Sequence, residues 1–127
     1  MDDKIDMDDI TDRVKGNTIK GEVSVTIGPS MGPRADVLCT AARAVLQDRQ
    51  NLHGAPEDSF KDIADLWEGW NGIKYTRTDV AVMLALLKIA RVRKTPTYKD
   101  NWADIAGYAA CGFEAALADE KEKSKND

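Results

Sequence analysis

A chain of 127 residues can bury one sizeable core and is too short for two ordinary domains. Its 18 basic and 22 acidic residues give a formal net charge of −4, which argues against a dedicated nucleic-acid binder, whose footprint is a net basic face. No apolar run reaches the ~18–20 residues of a membrane-spanning helix, and Met1-Asp-Asp-Lys-Ile-Asp6 lacks the apolar core of a secretory signal, so the expectation is a soluble cytoplasmic protein.

Residues 1–34 read as an amino-terminal extension. The first twenty are polar and rich in Asp and Lys, and then Glu22-Val-Ser-Val-Thr-Ile27 alternates with period two and predicts one short β-strand. Gly28-Pro-Ser-Met-Gly-Pro33 closes it with turn chemistry.

A helical domain is predicted over 35–119. Its first helix runs from Ala35 to Gln50, with Val37, Leu38, Ala41, Ala42, Val45 and Leu46 along one face, and Asn51 to Pro56 breaks it. Pro56 then suits the start of a second helix, whose stripe is Phe60, Ile63, Ala64, Trp67 and Trp70 and which stops at Asn71-Gly72. Thr76 is the expected N-cap of a third helix, with Asp79 completing a capping box, and that helix runs to about Arg93. The fourth spans Tyr98 to Asp119, with Trp102, Ile105, Ala106, Ala109, Phe113 and Leu117 expected to face inward. Residues 120–127 form a charged, frayed tail. The predicted fold is all-α, an antiparallel four-helix bundle with an amino-terminal extension carrying one short strand. Cys39 and Cys111 lie in helical segments without metal-type spacing and read as buried free thiols.

The most informative feature is Lys88, set in Val80-Ala-Val-Met-Leu-Ala-Leu-Leu-Lys-Ile-Ala90 with Arg91 one turn on. A helix apolar nearly all round is usually buried, and a buried ammonium requires an anion or a hydrogen-bonding cluster. That anion is a carboxylate of the next helix or a phosphate: Arg91 offers a bidentate fork and Lys88 a point charge. Asp100 and Asp104, four residues apart, share one helix face. Such a pair either ligates Mg²⁺ together with water and phosphate oxygens or simply favours a helix N-terminus. Asp48-Arg49 and His53-Gly54 make a second polar cluster at the exit of the first helix. With one His, a His-based zinc site or a Ser–His–Asp triad is poorly supported, and no P-loop, dinucleotide fingerprint or nucleophile elbow occurs. Trp67, Trp70 and Trp102 read as core or interface anchors.

Six motifs fall in order: Asp48-Arg49-Gln50; His53-Gly54-x-Pro56; Phe60-x-x-Ile63-Ala64-x-Leu66-Trp67; Asp79-Val80-Ala81; Leu86-Leu87-Lys88-Ile89-Ala90-Arg91; and Asp100-x-Trp102-x-Asp104-Ile105-Ala106-Gly107-Tyr108-Ala109. Over residues 36–118 they resemble a family of small uncharacterised helical proteins of tailed phages and prophages, which would put the chain in a host-cell cytoplasm. His53 stands where that family has a tyrosine. More distantly, the pattern is similar to the MazG-like all-α nucleoside triphosphate pyrophosphohydrolases. That resemblance implies a dimeric or higher homo-oligomer holding Mg²⁺ on carboxylates between helices and acting on a nucleotide. Carried over, it puts metal binding on Asp104 and Asp100, catalysis on Asp104 with Lys88, and phosphate contact on Lys88 and Arg91, with Tyr108 nearby. The Arg49 and His53 cluster is a further candidate for ligand contact. The second helix carries Asp58, Asp62, Asp65 and Glu68 but no E-x-x-E pair. Three functions follow: a Mg²⁺-dependent pyrophosphohydrolase, a non-catalytic binder that sequesters a nucleotide or nucleotide-derived defence signal, or a structural oligomeric protein in which Lys88 pairs with Asp104.

Overall fold

The computed structural model describes residues 26–48 and 54–126. After a 3₁₀ turn at Pro29–Met31, α1 spans Pro33–Arg43 and relaxes into a π-helical stretch at Ala44–Asp48. Helices α2 (Pro56–Asn71), α3 (Arg77–Lys94) and α4 (Lys99–Asn126) follow. The four helices pack together as an all-α unit. The strand expected over 22–27 lies mostly outside the described residues; Thr26 and Ile27 are not in one, and no strand occurs among the described residues.

Local chemistry explains the helix ends. Pro33 and Pro56 sit in the first turns of α1 and α2, where a missing N–H costs nothing. Gly72 adopts φ 76° after α2 and its N–H returns to the Glu68 carbonyl at 2.7 Å, a left-handed cap that favours glycine. The predicted capping box at α3 is present: Asp79 N–H donates to Thr76 Oγ1 at 3.0 Å and Thr76 N–H donates to Asp79 Oδ2 at 2.8 Å.

Helices α3 and α4 form the most extensive pairing. They run antiparallel, because Arg77 reaches Asp119 at one end and Lys88 reaches Asp104 further along. Their approach is close: a Cβ added at Gly112 would lie 3.1 Å from the Ala81 Cβ, and one at Gly107 would lie 3.0 Å from Val45 of the π-helical stretch. The core that results joins Phe60 and Ala64 of α2, Val80 and Ala81 of α3, and Tyr108, Cys111 and Ala115 of α4. Ile63 and Trp67 pack against it as the α2 stripe predicts.

Four expectations about facing are overturned. The inward side of α4 is Ala103, Gly107, Tyr108, Cys111 and Ala115, whereas Trp102, Phe113 and Leu117 are exposed. Close packing against α3 and α1 favours small side chains at every inward position but Tyr108, so the bulky stripe turns outward. Helix α3, apolar on all sides, is covered on one side alone: Val82, Met83, Leu86, Leu87 and Ile89 stay exposed. Trp70, at the far end of α2, is exposed as well, and so are Leu38 and Leu46 of the first helix. A further difference concerns the charged carboxyl-terminal segment, which is helical to Asn126 rather than frayed. There Glu122 is tied to Arg77 at 2.5 Å.

Cys39 and Cys111 are buried free thiols, as expected. Burial pushes the Cys39 thiol above its ordinary value, Asp36 adds to this, and Arg43 opposes it, so the thiolate is disfavoured. Among the described residues, no helix is long and apolar enough to cross a membrane.

Candidate functional site

Lys88 projects from the side of α3 that carries Val80, Ala81, Leu84 and Ala85, because positions four and seven apart share a helix face. Its aliphatic stem follows that covered side and its Nζ lies 2.8 Å from Asp104 Oδ2 on α4. The pair is lopsided: the Lys88 side chain is 15% exposed and that of Asp104 42%. The carboxylate therefore keeps water on one side while the ammonium depends on it.

One turn beyond Lys88, Arg91 is exposed and pairs with no carboxylate among the described residues. One turn before Asp104, Asp100 is exposed and accepts a hydrogen bond from the Tyr98 hydroxyl at 3.2 Å. The antiparallel pairing thus sets a row of two cations on α3 beside a row of two carboxylates on α4. Arg91 in the last turn of α3 and Asp100 in the first turn of α4 also suit their helix ends, where a cation and a carboxylate respectively are favoured. The α3–α4 connection is braced by Trp102 Nε1 donating to the Pro96 carbonyl at 2.8 Å and Asn101 Nδ2 donating to Thr95 Oγ1 at 3.3 Å. Lys99 lies 3.4 Å from Asp36 and ties this end to α1.

The remaining predicted residues do not join this cluster. Tyr108 is buried in the core, 9% exposed. Asp79 serves the α3 cap, nine residues from Lys88 and on the opposite side of the helix. Arg49 and His53 lie outside the described residues. Asp100 and Asp104 supply two carboxylates, and no group of three or more His, Cys, Asp or Glu gathers as a metal site among the described residues.

A second polar cluster escaped the sequence reading. Asp119 of α4 accepts from the backbone N–H of Thr78 at 2.9 Å, its hydroxyl at 2.7 Å, and the Arg77 guanidinium at 3.2 Å. Arg77 also donates through Nε to the Glu57 carbonyl at 2.9 Å and through Nη1 to Glu122 at 2.5 Å. Burial raises the Asp119 pKa, but the hydrogen bonds from Thr78 and then Arg77 outweigh it and hold the carboxyl below its ordinary value. Glu122 is lowered by its hydrogen bond to Arg77. The available sequence signal was an Asp and a Glu three apart, Asp119 and Glu122, at the end of the α4 stripe. A groove of about 760 Å³ lies beside this cluster, lined in part by Lys61, Tyr75, Arg77 and Phe113. Its arginine is engaged by two carboxylates of α4 and a backbone carbonyl of α2, so the cluster is a joint between α2, α3 and α4.

The sequence model of a family described as a domain of unknown function, DUF6378, matches residues 36–116. The chain belongs to the DUF6378 family. The matched span covers α1 to most of α4 and includes Lys88, Arg91, Asp100 and Asp104. Among curated proteins, this DUF6378 chain is 40% identical over 75 residues to the Gene 55 protein of Mycobacterium phage D29, covering 59% of this chain and 50% of that protein. It is 39% identical over 74 residues to the Gene 55 protein of Mycobacterium phage L5, covering 58% and 47%. The chain spans about half the length of these relatives. No solved structure matches it.

Proposed function

We propose that this DUF6378 protein is a phage-type binder of a phosphorylated small molecule, with a nucleoside triphosphate the class that fits best. The observation that carries the reading is the Lys88–Asp104 pair at 2.8 Å with Arg91 one turn further along α3. A phosphate entering there meets two cations on adjacent turns and competes with Asp104 for Lys88. Arg91 supplies a planar fork for phosphate oxygens, and Lys88 a compact charge. The distant resemblance of the motif series as a whole to MazG-like pyrophosphohydrolases favours the same ligand class, although the E-x-x-E pair of those enzymes has no counterpart on α2.

Two carboxylates on one helix face suit the way Mg²⁺ is held by one or two protein carboxylates with phosphate oxygens and water completing its shell. Asp104 and Asp100 are the residues that would hold the ion. Bound there, it would neutralise phosphate charge and acidify a coordinated water. Displaced from Asp104, Lys88 would remain within reach of the same phosphate.

Thermal unfolding with and without a panel of nucleoside triphosphates and Mg²⁺ tests the reading. A ligand that binds only the folded state at 100 times its Kd stabilises by ~2.7 kcal/mol. The expected result is a rise in melting temperature that Arg91→Ala reduces and Asp104→Asn alters. No shift with any nucleotide at millimolar concentration refutes it. Intact nucleotide recovered from the denatured complex identifies a binder; monophosphate and pyrophosphate identify a pyrophosphohydrolase.

A further inference from the structure

The side of α3 facing away from Lys88 is apolar, exposed and arranged symmetrically about one residue. On a helix of 100° per residue, Val82 and Ala90 lie 40° to either side of Leu86, and Met83 and Ile89 lie 60° to either side. Asp79 and Arg93 fall 20° from it, seven residues before and seven after. Leu86 is 55% exposed, Val82 53%, Ile89 45% and Met83 42%, and Asp79, Ala90 and Arg93 are exposed too. Because Lys88 and Ala81 face α4, this stripe points away from the rest of the α3–α4 pair and is covered by no described residue of α4. A contiguous exposed apolar stripe with charged ends is the kind of surface that marks a protein–protein contact.

We propose that a second copy of this chain covers this face, with the two α3 helices packed antiparallel about a two-fold axis at Leu86. Under that axis, each residue a given number of positions after Leu86 lies level with the one the same number before it in the other copy. On one side of the midline Val82 then adjoins Ile89 of the other copy, and on the other side Met83 adjoins Ala90, a large side chain against a small one. Asp79 of each copy meets Arg93 of the other, closing both ends of the stripe with opposite charges. The same patch serves both copies, as a two-fold dimer requires. A parallel arrangement would set Asp79 against Asp79 and Arg93 against Arg93. The spacing between the two charge pairs, fourteen residues, is ~21 Å along the helix.

Sedimentation of the full 127-residue chain should give a species of twice 14.0 kDa, and Leu86→Glu should give a monomer with unchanged helical circular dichroism. Cysteine cross-linking fixes the geometry, because the native Cys39 and Cys111 are buried. Under mild oxidation Leu86→Cys, on the axis, should join two copies, whereas Arg93→Cys should not join to itself. A monomeric parent chain, a dimer that Leu86→Cys fails to link, or efficient self-linking of Arg93→Cys overturns the proposal.

Discussion

Replacing Asp119 by Ala removes one carboxylate that holds the start of α3 to the end of α4. It accepts from two backbone N–H groups of the first turn of α3, from the Thr78 hydroxyl at 2.7 Å and from Arg77 at 3.2 Å. A hydrogen bond to a charged group contributes ~1.5–3 kcal/mol, and a carboxylate at a helix N-terminus adds ~0.3–1 kcal/mol. These contacts share one acceptor and do not add, and Arg77 keeps Glu122 and the Glu57 carbonyl. The expected cost is about 2–3 kcal/mol, or roughly 7–11 °C in Tm for a domain of this size. The assay is thermal unfolding followed by circular dichroism, repeated across pH. The native carboxyl is held below the ~3.9 of an unfolded Asp. Its contribution is therefore complete above about pH 4 and is lost as pH falls through the lower native value. Asp119→Asn should flatten that acid limb. An Asp119→Ala variant that melts within about 2 °C of the parent, or keeps the parent's acid profile, would refute the assignment of this joint.

The Lys88–Asp104 pair should respond asymmetrically. Asp104→Ala strands a side chain that is 15% exposed and should lower stability by ~1–3 kcal/mol, whereas Lys88→Met leaves a carboxylate that water already reaches and should cost under ~1 kcal/mol; equal losses in chemical denaturation would contradict this. Gly112→Ala should destabilise despite the ~1 kcal/mol gain in helix propensity, because its Cβ would meet that of Ala81 at 3.1 Å and two helix backbones must part. A raised Tm would show that they part freely. Thr76→Ala deletes the acceptor of the α3 capping box and should cost ~1 kcal/mol, read from the urea midpoint at unchanged m-value.

The helix starts and stops were legible because they rest on local chemistry: Pro56, Gly72 and the Thr76–Asp79 box work within a few residues. The pairing of Lys88 with Asp104 was legible as one of two outcomes, since a charge inside an apolar run demands a partner somewhere. What the pattern could not rank was two competing stripes on α4. Both Trp102–Ala109–Phe113 and Ala103–Gly107–Cys111–Ala115 recur at helical spacing, and size favours burying the first. The decision belongs to the distance between helix axes, a tertiary quantity that selects the small side chains. The same holds for Asp119, whose partners lie some forty residues away.

Six of the eleven buried apolar residues described are alanine, and two are cysteine. Val80 alone is a large side chain with no exposure. Alanine loses no rotamer freedom on burial, so this interior orders itself at little side-chain entropy cost. It also has little volume to lose. In most domains truncation is the damaging change at a core position; along the α3–α4 contact it should be enlargement. Substitutions tolerated there should be confined to Ala, Gly, Ser and Cys, whereas the larger aliphatic and aromatic residues on the outer face meet no such limit from the helices of this chain.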